Sequence, residues 1–254
     1  MSVQVECDFG ADWIAFCRAN LAALGSPVDP ALPDEEVTIL FFNAQKRLVE
    51  PRARTIHEAP GLAIPPHLAA AYAAFLAKVR RGDDLRPHLS TLVAKADRDD
   101  ALLNDWGVHH FHLGTQVGQK GFVDRTGELL FAMVREADFY VVGLFDHASF
   151  SAQEVLESVH ARWPQLIAPW RLNGFQLAAP LSDSERKDAR GAGLSAFTQM
   201  KDGTLYASPG GGYATSKRST EAVTRSDRTM TRIWELEDRV RAGGAALAER
   251  ARAN

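Results

Sequence analysis

Three of the chain's eight histidines stand within four residues, in the stretch Asp105-Trp106-Gly107-Val108-His109-His110-Phe111-His112-Leu113-Gly114. Imidazole is the side chain whose ordinary pKa lies nearest neutrality, and its ring nitrogens also ligate metals, so neighbouring rings suit either proton transfer or metal binding. Gly107 can close the apolar helical run Ala101 to Trp106, and the residues after it alternate as in a half-buried strand. That alternation would put His109, Phe111 and Leu113 on one face and His110 with His112 on the other. Trp106 and Phe111 read as core residues.

A second group of chemical residues follows within forty positions: Arg125, then Asp146 and His147. If the segments carrying them are neighbouring strands, His110, His112, Arg125 and His147 meet on one sheet face or edge. Histidine as general acid and base, with arginine against a developing phosphorane charge, is minimal equipment for cleaving RNA without a metal or other cofactor, the ribose 2′-hydroxyl being the nucleophile. The expected function is therefore a phosphodiester hydrolase, an RNA endonuclease of the stress or defence kind. Phosphate contacts would come from Arg47, Arg52 and Arg54, in a segment with four cations in nine residues, and from Tyr213, Lys217 and Arg218 beside a glycine-rich run. The bland reading of the first segment is a basic helix end and an extended connector. For Pro209 to Gly212 it is a loop tip, since the spacing matches neither a Walker loop nor a dinucleotide fingerprint.

Two alternatives use the same residues differently. His110, His112 and His147 with Asp146 or Asp105 could hold a divalent metal such as zinc, for metal-assisted hydrolysis or oxygen chemistry. Or the histidines satisfy buried backbone groups in a non-catalytic binding or regulatory protein. His57, His67 and His88 read as structural or surface residues, as does His160, although its helix follows His147.

The order of these elements resembles the RelE/ParE-type toxins and related small ribonucleases over about forty residues, carried by His112-Leu113, Arg125-Thr126-Gly127-Glu128-Leu129-Leu130-Phe131 and Val141-Val142-Gly143-Leu144-Phe145-Asp146-His147. The chain departs from that family in being far longer and acidic overall. RNA and a small protein inhibitor or regulator are the partners to expect of such a protein.

The elements that must position these residues are mostly helical at first. Apolar spacing predicts helices over about 11–24, 36–49 and 67–81, a short helical region from Asp83 to Lys95, and the helix before Gly107. The segment Val37 to Phe42 would serve as strand or as helix. Strands follow at about 109–114, 128–135 and 138–145, the last two apolar enough to be buried on both faces. Beyond them come a helix over 152–162, irregular structure to 181, a helix from Ser182 to about Met200, a short strand at 204–208, and a long helix from Ser219 interrupted at Gly243-Gly244. The sum is an α+β protein with a small central antiparallel meander at about 109–145 flanked by helices from both halves. Residues 1–105 form a mainly helical part and 106–254 the part carrying the site, within one continuous domain if the two share a core.

At 46% hydrophobic and 24% charged, the composition is that of an ordinary globular protein, and a net charge of -3 gives no global attraction to polyanions. Nothing approaches the ~20 apolar residues needed to cross a bilayer, and the N-terminus lacks a signal-like core, so a cytoplasmic protein without a membrane partner is expected. Cys7 and Cys17 are too few for a disulfide framework, and Cys17 reads as a small core residue.

Overall fold

The structure, a computed structural model, describes residues 6–253, apart from the side chains of 245–249 and 251–253. Residues 1–5, on which part of the N-terminal reading rests, lie outside it. Helix α1 (Phe9–Ala23) starts where the Asp8 carboxylate accepts the Ala11 amide. Helix α2 (Asp34–Arg47) carries Asp34, Glu35 and Glu36 in its first turn and Lys46 and Arg47 in its last, the charge order that a helix dipole favours. It settles the ambiguity at 37–42 in favour of helix. Being buried almost all round, α2 needs no polar face, and the apolar residues between its stripe positions are what let Val37 to Phe42 also read as a strand. It packs between α1 and the long helix α7 (Thr220–Ala253), which runs through Gly243-Gly244 without the expected break.

The expected meander is present and has one more strand than foreseen. Strands β2 (His109–His112), β3 (Glu128–Val134) and β4 (Asp138–Asp146) are antiparallel, and β1 (Thr55–Glu58) joins them alongside β4 in parallel, giving the order β1-β4-β3-β2. The basic connector 46–57 thus ends in a strand. Helix α3 (Ala69–Arg81), closed by Gly82 in the left-handed region at φ 79°, covers one face with Phe75, Leu76 and Val79 against Phe111, Leu130, Phe139 and Val141. Helix α5 (Gln153–Arg162) covers the other with Val155, Leu156 and Val159 against Leu129, Phe131, Met133 and Val142. The first of these clusters draws on residues from both sides of position 105.

Register slips once. Phe131 stands opposite Gly143 and Ala132 opposite Val141, so β4 holds an extra residue there. Before the bulge Phe139 and Val141 face α3; after it Leu144 faces α3 and Phe145 faces α5. Alternation along β4 is thereby reversed.

A second sheet joins β5 (Arg171–Leu172), β6 (Thr198–Gln199) and β7 (Leu205–Tyr206) in the order β5-β7-β6. Helix α6 (Asp183–Gly191) starts at a Ser182/Glu185 capping box as its sequence implies, but it stops at Gly191 instead of Met200, since Gly193 takes φ 71° and the chain must turn to make β6.

The glycine-rich segment is held down and is not a loop tip. The amides of Gly210 and Gly212 donate to the carbonyls of Asp105 and Asn104, both at 2.8 Å, and the Lys46 ammonium donates to the Gly210 carbonyl at 2.7 Å. A Cβ at Gly210 would overlap the carbonyls of Leu103 and Asn104. Gly210→Ala should therefore lower stability by roughly 2 kcal/mol or more, because backbone must move to admit it. Gly203→Ala, at φ 88° with open space around it, should cost about 1 kcal/mol from conformation alone. Denaturant unfolding of the two variants separates the effects; equal losses would mean that the contact at Gly210 is unimportant.

Candidate active site

The histidine cluster is aimed by a short helix and a reversal. Asp100 caps helix α4 (Ala101–Trp106), one carboxylate oxygen accepting the Leu103 amide at 3.0 Å. Gly107, at φ 71°, ends the helix with its amide on the Leu103 carbonyl, and β2 begins two residues later. Faces alternate as expected: Phe111 and Leu113 enter the α3-side core, while His110 lies against Phe131 and Phe150. Because β2 is the edge of its sheet, His109 and His110 both reach a cavity of about 590 Å³.

The structure brings His110, Arg125 and His147 onto the wall of that one cavity. His110 places Nδ1 3.3 Å from the second carboxylate oxygen of Asp100, with the two side chains only 14% and 19% exposed. The contact lacks hydrogen-bond alignment. His147 opens the turn after β4, its ring centre 5.8 Å from those of His112 and Phe150. Arg125 and His147 are exposed at the rim.

His112 does not line the cavity; it sits behind His147 at 3% exposure. Its Nδ1 accepts the Thr126 amide at 3.3 Å and its carbonyl accepts from His88 Nδ1 at 2.8 Å. Burial, then the nearby Arg125, His110, His147 and His88, hold its pKa down at about 4. Burial does the same for His109, also to about 4. His88 is likewise no surface residue: it is buried, with the Lys78 ammonium on its other nitrogen at 2.9 Å.

These depressed values fix a pH dependence. A ring that stays neutral when folded but takes a proton near 6.5 when unfolded contributes stability that is present above 6.5 and lost as pH falls toward 4. Between pH 7 and pH 4.5 each ring should cost roughly 2–3 kcal/mol. His112→Phe should flatten the urea-unfolding curve of stability against pH over that interval; an unchanged slope would show that His112 is protonated in the folded protein.

The other nominated residues lie elsewhere or are occupied. Arg47 borders the cavity, but its guanidinium donates to the carbonyls of Asn43, Leu92 and Lys95 at 3.2, 2.9 and 2.9 Å. Arg54 donates to the carbonyls of Glu50, Arg52 and Arg135, and Arg52 pairs with Glu136 at 2.5 Å. Arg218 pairs with Glu36, and Lys217 occupies a turn at φ 63°. The Tyr213 phenol is pushed up by burial and lies near the Arg190 and Asp105 charges, off the cavity wall. Arg47 and Arg54 therefore fit neither reading of the basic segment: they are buried and serve as internal ties, not as a solvated helix end.

The carboxylates of the zinc alternative are spoken for as well. Asp146 caps the turn that follows it, accepting the Ser149 amide at 3.0 Å and its hydroxyl at 2.7 Å. Asp105, 1% exposed, accepts from Arg190 Nε at 2.8 Å and from the Ser208 hydroxyl at 2.7 Å, and Arg190 Nη2 stands 2.7 Å away as the other arm of the ion pair. Among the described residues no three His, Cys, Asp or Glu side chains converge as metal ligands do.

Sequence reasoning missed Asp100 and Lys187. Asp100 was visible as a helix cap in the run Asp99-Asp100-Ala101-Leu102-Leu103; that its other oxygen meets His110 needs the fold. Lys187, on α6, reaches the cavity because Arg186 and Arg190 anchor the helix on the Trp106 ring, 5.4 and 4.1 Å from its centre. Compared with models of known families, with curated proteins and with solved structures, the chain finds no match.

Proposed function

We propose that this protein cleaves RNA phosphodiester bonds by general acid–base catalysis at the cavity beside β2. What supports the reading above all is that His110, Arg125 and His147, from three separate segments, border one cavity. The resemblance of residues 112–147 to RelE/ParE-type ribonucleases points the same way.

His110, with an Asp100 carboxylate oxygen 3.3 Å from its Nδ1, takes the ribose 2′-hydroxyl proton on Nε2. The 2′-oxygen attacks phosphorus, the bond to the 5′-oxygen breaks, and His147 protonates that leaving oxygen. The products are a 2′,3′-cyclic phosphate and a 5′-hydroxyl end. Arg125 lies against the phosphoryl oxygens as their charge grows, with Lys187 as a further cation at the rim. Neither of these two cations has a carboxylate within ion-pair distance among the described residues, in contrast to Arg52, Arg190 and Arg218. His112, kept neutral by burial, supports His147 without adding charge beside it.

The test is incubation of the purified protein with a short single-stranded RNA in excess chelator, followed by end-group analysis. Cleavage leaving cyclic phosphate, blocked by a single 2′-deoxy substitution at the scissile position, is expected. Lack of cleavage, or hydrolysis indifferent to the 2′-hydroxyl, would overturn the proposal.

A further inference from the structure

We infer that the groove where α1 and α2 begin beside α7 docks a basic segment of a partner protein, one that presents an apolar side chain flanked by lysines or arginines. The groove has a volume of about 730 Å³ and shares no lining residue with the cavity beside β2. Ile14, Met230 and Trp234 give it apolar surface, and Asp8, Asp34, Glu35 and Asp227 give it carboxylates. No lysine, arginine or histidine lines it. Apolar contact and a single sign of charge are thus offered together.

Helix chemistry accounts for only part of that charge. The Asp8 carboxylate accepts the Ala11 amide at 2.8 Å, and Asp34 and Glu35 stand in the first turn of α2. Each helix N-terminus is worth about half a positive charge, so the two together cancel about one of the four negative charges. Arg18, 3.9 Å from Asp34, weakly offsets one more. Glu35 and Asp227 form no ion pair among the described residues, whereas Asp105 and Glu36 are each met by an arginine. Asp227, about two turns into α7, serves no helix end. Charge left over in this way is available to a ligand of opposite sign.

The apolar part is available too. Trp234 is 57% exposed, and Asp227, Met230 and Trp234, spaced by three and four residues, share one face of α7. Tryptophan is among the side chains that carry most of the binding energy at protein interfaces, and its face also attracts ammonium and guanidinium groups. Charge then selects the partner. RNA and anionic lipid are repelled by such a wall, whereas a basic protein segment is drawn to it and can lay an apolar side chain against the indole.

The experiment is fluorescence anisotropy with a labelled basic peptide of about twelve residues, three helical turns, in which leucines at every third or fourth position are flanked by lysines. A peptide with glutamate for lysine and a linear tetra-amine are the comparisons. The basic peptide should bind wild type with a Kd of about 10–100 µM at low salt and weaken severalfold as salt is raised. The glutamate peptide should not bind. The double variant Glu35→Gln/Asp227→Asn and, separately, Trp234→Ala should each weaken binding by about tenfold or more at a nearly unchanged melting temperature, since all three residues are exposed. Failure of the basic peptide to bind, or binding that these variants leave intact, would overturn the inference. So would displacement of the peptide by an equal concentration of the tetra-amine, which would make a small polycation the occupant. A wild-type dimer that Trp234→Ala breaks would assign the groove to a second copy instead, and binding that appears only after deletion of residues 2–5 would assign it to the chain's own N-terminus; either result overturns the inference.

Discussion

On the proposed mechanism, alanine in place of His110 should slow RNA cleavage by about 10²–10⁴-fold, the loss that follows removal of a positioned general base. The ring is largely enclosed by Phe150 and Asp100, so the variant's unfolding is measured alongside its rate to separate lost packing from lost chemistry. Asp100→Asn should slow cleavage less, with the deficit in kcat and not in KM if Asp100 acts through the His110 ring 3.3 Å away. His147→Ala gives a comparable loss on ordinary RNA but a much smaller one on a substrate with an aryloxide leaving group, which departs without a proton. Because one histidine must begin neutral and the other protonated, the rate has a bell-shaped pH profile, and each single variant loses one limb. Full activity in His110→Ala would remove the mechanism.

The largest change in stability is expected at Asp105. Its carboxylate, 2% exposed, lies between Arg190 and Ser208, and Arg190 also donates to the Phe150 carbonyl and stacks on Trp106. Asp105→Ala leaves a guanidinium buried without its counter-charge and should cost about 3–5 kcal/mol, enough to unfold many domains of this size. Removing both partners in Asp105→Leu/Arg190→Met should be much milder than the sum of the single changes, because the penalty lies in the orphaned charge and not in the absent pair. Chemical denaturation of the four proteins measures that coupling; additive losses would mean that the pair is not buried in solution.

The place of the site could be read from residue order more easily than its wiring. Gly107 is required by the reversal that aims β2, and a glycine after an apolar helical turn announces it. Alternation in His109–His112 assigned the rings to their faces because a strand's period is fixed whatever its neighbours do. The basic residues misled for a physical reason: a cation's sequence context does not tell whether its donors meet a ligand or the chain's own carbonyls, and Arg47 and Arg54 meet carbonyls. Helix α6 hid its purpose similarly. A helix with so few apolar residues looks solvent-exposed, yet Arg186 and Arg190 are buried by stacking on an indole some eighty positions earlier. Strand β1 escaped notice because four residues between a proline segment and a loop show too little alternation to register.

The slipped pairing between Phe131 and Ala132 has a bearing on how this gene product can tolerate changes in length. Odd-numbered positions of β4 look toward α3 before the slip and toward α5 after it. Excising Val142 would remove the bulge and leave Gly143, Leu144 and Phe145 opposite Phe131, Leu130 and Leu129 as now, so the later side chains of β4 would keep their faces. Residues inserted among 115–121 only lengthen a surface hairpin. Indels should therefore crowd into that hairpin, and within β4 only the loss of Val142 keeps the register, since a one-residue change elsewhere in the strand reverses every side chain beyond it.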